Sequence, residues 1–85
     1  MMYKVYKVKG RVGIYLVYLP TRQRVRVLDM SGNCRDAGMH RLQLNFFIPA
    51  KVLGNLPRES DIFIDSFPNL EETRAFLTML TIMEE

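Results

Sequence analysis

Cys34, Asp36 and His40 lie close together in one polar stretch and are the residues whose types could support covalent chemistry. A thiolate beside an imidazole becomes a nucleophile when a third group orients the pair. Their spacing matches no catalytic signature, and a surface thiol beside an ordinary loop histidine accounts for the same residues. With one cysteine and one histidine in the chain, neither an internal disulfide nor a repeated-ligand zinc centre is available. Ser31-Gly32-Asn33 has one glycine and no following Lys-Ser/Thr pair, so it is no phosphate loop. Glu71 and Glu72 are neighbours on an expected helix and diverge; they suit its positive start better than acid-base work. The expectation is a protein without catalysis, cofactor or bound metal.

Binding chemistry has more to work with. The 85 residues carry a net charge of +3, but the charge is unevenly spread. Residues 1–51 hold ten Lys or Arg against Asp29 and Asp36, whereas residues 52–85 hold Arg58 and Arg74 against seven acids. Such asymmetry suits a polyanion, and it equally suits one half neutralising the other within the fold or across a dimer. The residues that combine cations with rings are Lys4, Tyr6, Arg11, Tyr15, Arg22, Arg24 and Arg26. Rings stack on unpaired bases, each worth roughly 1–3 kcal/mol, while guanidinium and ammonium groups neutralise phosphates.

The elements that must position these residues follow from periodicity. The spacing predicts strands over 2–8, 11–19, 22–30, 41–48 and 61–65, and a helix over 70–83. Residues 11–19 are apolar on both faces and rich in β-branched and aromatic types, as a central strand requires. Asn69 is placed to cap the helix with Glu72 at its third position. Leu70, Thr73, Phe76, Leu77, Leu80 and Met83 form the stripe that packs on the sheet, while Met79 and Ile82 fall outside it. Ile62 and Ile64 are expected to point inward, and residues 31–40 read as a long loop. The order describes one α+β domain over 1–85: a small antiparallel sheet, or a partly closed five-stranded barrel, with one C-terminal helix.

Two-residue turns at Lys9-Gly10 and Pro20-Thr21 would fix the register of the first three strands. Lys4 then faces Tyr15, which faces Arg26. Lys4, Tyr6, Val8, Arg11, Tyr15, Val17, Leu19, Arg22, Arg24 and Arg26 share one face, and Tyr3, Val5, Val12, Ile14, Leu16, Tyr18, Val25 and Val27 line the core. The sequence therefore favours a small binding protein engaging nucleic acid, single-stranded or with little sequence preference, through a basic, tyrosine-containing sheet face. The alternative is a protein-interaction or inhibitor module, including a homodimer, supported by apolar Val17, Leu19, Met79 and Ile82 outside the core. A solvent-facing side kept soluble by arginines also fits, as does a face covered by the helix or a partner chain, with Arg stems lying over Val17 and Leu19. Val12–Leu19, the longest apolar run, falls well short of the roughly twenty residues that span a bilayer. Lys4, Lys7 and Lys9 interrupt the stretch where a signal peptide's apolar region would lie. Neither a membrane partner nor export is expected, and the lone cysteine suits a reducing, cytoplasmic location.

Overall fold

The structure is a computed structural model and describes residues 2–30 and 46–83. The expected loop 31–40, with Cys34, Asp36 and His40, and residues 41–45 of the expected fourth strand lie outside the described residues. Among the described residues, five strands, β1 (Tyr3–Lys7), β2 (Ile14–Leu19), β3 (Arg24–Asp29), β4 (Ile48–Pro49) and β5 (Ile62–Phe67), are followed by a C-terminal helix, α1 (Leu70–Met83). A 3₁₀ turn, Ala50–Leu53, follows β4 directly. All pairings are antiparallel, in the order β4-β3-β2-β1-β5, and the sheet is open rather than closed into a barrel.

As its composition requires, β2 is the middle strand. Tyr15, Leu16, Val17 and Leu19 are all buried, so both of its faces are covered. On one face, Val5, Tyr15, Val17, Leu28 and Met30 meet Leu77 of α1, with Tyr3, Ile64, Phe67, Leu70, Phe76 and Leu80 packed around them. On the other, Leu16 and Val25 meet Ala50, flanked by Tyr6, Val8, Tyr18, Leu53 and Leu56. That second cover is a consequence of topology. β4 and β5 lie at opposite edges, about 19 Å apart for four strand spacings, and the segment joining them crosses the sheet on the side away from α1.

α1 starts where the sequence places it. Asn69 Oδ1 accepts the Glu72 backbone N–H at 2.8 Å, and the buried Thr73 hydroxyl donates to the Asn69 carbonyl at 2.8 Å. Each satisfies a polar group that a helix start or a dry interface would otherwise leave unpaired. Phe67 and Phe76, with ring centroids 4.9 Å apart, tie β5 to the helix. Met79 is exposed, as its place outside the stripe requires.

The register differs from the two-turn expectation. Val8 N–H bonds to the Ile14 carbonyl, so the first connection runs over residues 9–13, with positive φ at Gly10 and Gly13. The second runs over residues 20–23, with positive φ at Gln23. The first is three residues longer than a two-residue turn and the second two longer. Side chains alternate with period two, so the odd increment turns β1 over relative to β2 while the even one leaves β3 in phase. Lys4 faces Tyr18 rather than Tyr15, and Tyr15 faces Leu28 rather than Arg26. Val12, expected in the core, is 84% exposed in the first connection. Val17 and Leu19, expected on an open face, are buried. Ile64 packs inward, but Ile62 is exposed because the β1–β5 register shifts between Val5 and Tyr6.

Two substitutions test this arrangement by urea unfolding. Leu77→Ala is expected to cost about 2–5 kcal/mol, since its side chain is fully buried between helix and sheet. Asn69→Ala is expected to cost about 1 kcal/mol through the lost cap. An Asn69→Ala variant as stable as the parent would show that the cap contributes nothing.

Candidate functional site

The seven residues singled out from the sequence do not gather on one face. Tyr15 is 1% exposed and belongs to the core beneath α1, so its ring is closed to a stacking base. Tyr6 packs on the opposite face, which Lys4 shares by strand alternation. Arg11 is exposed in the connection 9–13 and Arg22 in the turn 20–23. Arg24 and Arg26 lie opposite Leu19 and Val17, on the helix side. The open cationic face is thus corrected to two covered faces with the cations distributed around them, for the parity reason given above.

Lys4 and Tyr6 sit beside a ring the sequence reading did not connect to them. Phe63 of β5, half exposed, meets Tyr6 edge-on with centroids 5.4 Å apart. Tyr18 is the cross-strand partner of Lys4. Burial raises the Tyr6 pKa from its ordinary 10.0, and the negative charges that Tyr18 and Asp61 bring nearby raise it further. Asp61, close enough to act on the Tyr6 phenol, makes this side a poor place for a polyanion.

A different part of the surface holds cations and apolar side chains together. The Ala50 N–H donates to the Gln23 carbonyl at 2.8 Å, which sets Arg22 and Arg24 beside Lys51. Arg24 Nη1 donates to the Phe47 carbonyl at 3.0 Å. Immediately along β3, Val25, Arg26, Val27, Phe46, Ile48 and Leu53 line a shallow groove of about 110 Å³. The Arg26 Nε is shut off from solvent and has no hydrogen-bond acceptor. Arg22, Arg24 and Arg26 were legible in the sequence as cations, whereas Phe46 and Ile48 read only as alternating members of a longer strand. Pro49, expected just beyond the end of that strand, pairs with Arg24 within it.

Among the described residues, no group of three or more His, Cys, Asp or Glu is placed to hold a metal ion, and no helix is long and apolar enough to cross a membrane. The chain matches no family model, curated protein or solved structure.

The Tyr6 environment has a measurable consequence. A phenol with a raised folded-state pKa holds its proton more tightly folded than unfolded. Its contribution is therefore complete below about pH 10 and is lost as pH rises through the folded value. Tyr6→Phe is expected to flatten the fall in stability above pH 10, followed by urea unfolding at stepped pH. Superimposable pH profiles for parent and variant would show that Tyr6 titrates alike in both states.

Proposed function

We propose that this chain is a non-enzymatic protein-interaction module that engages its partner at the β3–β4 edge. One observation carries the reading: Val27, Phe46 and Ile48, which are 39%, 61% and 38% exposed, surround the groove that contains Arg26. Val52, next in sequence to the lining residue Leu53, is 66% exposed. Apolar side chains exposed together around a concavity and rimmed by charge are the usual composition of a binding surface. Arg24, Arg26 and Lys51 supply that rim.

Nucleic-acid binding is the second reading, supported by the concentration of Arg22, Arg24, Arg26 and Lys51 near the exposed Phe46 ring. It has moved from the sheet face to the sheet edge, and retains the three arginines of β3 and its preceding turn. Tyr15 is no longer available to it. Protein recognition is favoured because Val27, Ile48 and Val52 are aliphatic and offer bases no stacking surface.

The two readings separate in one pair of measurements. A photo-crosslinking residue replacing Val52 is expected to capture a discrete protein, and Phe46→Asp to abolish the capture. The same residue at Val12, exposed on the 9–13 connection, should give none. Anisotropy of a labelled single-stranded oligonucleotide, read at about 50 and 200 mM salt, should stay flat. Salt-sensitive oligonucleotide binding that disappears in Arg24→Glu would replace the protein reading with the nucleic-acid one. A strict monomer in light scattering with no crosslink at Val52 would remove the protein reading altogether.

A further inference from the structure

β5 carries one residue more than β1 pairs with. Val5 stands opposite Asp65 but Tyr6 stands opposite Phe63, which makes Ile64 the extra residue. Ile64 packs into the core beneath α1, and its insertion turns Phe63 onto the other face, against Tyr6. In an unbroken register Ile64 would oppose Tyr6, and Phe63 would point to the helix side. Re-aiming a side chain in this way is what bulges do beside binding sites.

The two rings form a corner. Their planes are inclined at 67° with centroids 5.4 Å apart, and Phe63 leaves 51% of its surface exposed. An aromatic face is electron-rich and attracts a cation that comes within about 6 Å of its centre. Beside the corner stands a carboxylate fixed by its own turn. Asp61 Oδ2 accepts the Arg58 backbone N–H at 2.7 Å, and the Asp61 N–H donates to the Arg58 carbonyl at 3.0 Å. The Asp61 charge is felt at the Tyr6 phenol, so the acid and the rings are neighbours.

Among the described residues, no cation forms an ion pair with Asp61. Arg58 sends its guanidinium toward Gly54, where an added Cβ would stand 3.8 Å from Nη2. Lys4 shares a face with Tyr6 but stands opposite Tyr18 and Ser66, on the far side of the ring pair from Asp61. Lys7 stands opposite Ile62 and points to the other face.

We propose that the Tyr6–Phe63 corner binds an arginine side chain of a protein partner, with the guanidinium plane on the Phe63 ring and its N–H fork donating to Asp61. The residue types select among cations. A guanidinium is flat, weakly hydrated and rich in donors, so it stacks and hydrogen-bonds at once. A quaternary ammonium has no N–H for the carboxylate, and a lysine ammonium is a compact, strongly hydrated charge. The site lies at the opposite sheet margin from the β3–β4 groove, about 14 Å away for three strand spacings, and does not depend on what that groove binds.

The probe is arginine blocked at both ends, N-acetyl arginine amide, titrated into the full chain and followed by the NMR signals of the Phe63 and Tyr6 rings. Both rings are expected to shift saturably. The citrulline analogue, which keeps the plane but not the charge, should bind about tenfold more weakly, and the lysine analogue more weakly than arginine. Asp61→Asn keeps an oxygen for the Arg58 N–H, and so keeps the turn, but should weaken binding about tenfold. Phe63→Leu should abolish the saturable shift at Tyr6; if that variant unfolds, Asp61→Asn decides. Shifts that never saturate, equal affinity for the citrulline or lysine analogue, or unchanged affinity in folded Asp61→Asn would each overturn the proposal. So would ring shifts that follow protein concentration alone, since a second copy would then fill the corner. Tighter binding of free arginine than of the blocked form would also overturn it, by making the amino acid itself the ligand.

Discussion

The stagger between β1 and β2 decides what each sheet face is made of. An antiparallel pair offers two sets of side chains, and a shift by an odd number of residues exchanges them. With Val5 opposite Val17 and Tyr6 opposite Leu16, one face assembles Tyr3, Val5, Tyr15, Val17 and Leu28, and the other Tyr6, Val8, Leu16, Tyr18 and Val25. Neither set could be left in water, so both faces needed a cover.

The covers are of unequal strength. α1 brings a continuous apolar stripe to its face, with Leu77 fully buried at the centre. The segment after β4 brings only Ala50, Leu53 and Leu56, enough to shield Leu16 and Val25 but not the full width of the sheet. Phe63 at one side and Val27 and Ile48 at the other therefore remain exposed. The candidate groove lies at the latter margin, where a short cover and a short edge strand end together.

Features set by contiguous residues were readable in the sequence. The Asn69 cap and the helix stripe depend on spacings of three and four along one segment, and the central position of β2 follows from its uninterrupted apolar run. Register was not readable, because it depends on how many residues the connections consume. Gly13 and Gln23, both at positive φ, extend those connections, and Gln23 gives little sign of doing so. The scattering of Lys4, Tyr6, Tyr15 and Arg26 over both faces follows from that count alone. The β3–β4 groove was hidden for a related reason, since alternation through Leu42, Leu44, Phe46 and Ile48 suggested a long strand where the described ladder has two pairs.

Charge is sorted along the strand order. Among the described residues, the β3–β4 margin carries Arg22, Arg24, Arg26 and Lys51 against Asp29, while β5, its preceding loop and the start of α1 carry Glu59, Asp61, Asp65, Glu71 and Glu72 against Arg58 and Arg74. Such separation among the described residues contributes an electric moment lying across the strands. A highly charged body drifting nearby would exert a torque as well as a pull, swinging one flank toward it before any atoms touch. Facing in the encounter is then settled at long range, and the fraction of collisions that arrive correctly aimed rises without any change in the contacts finally made.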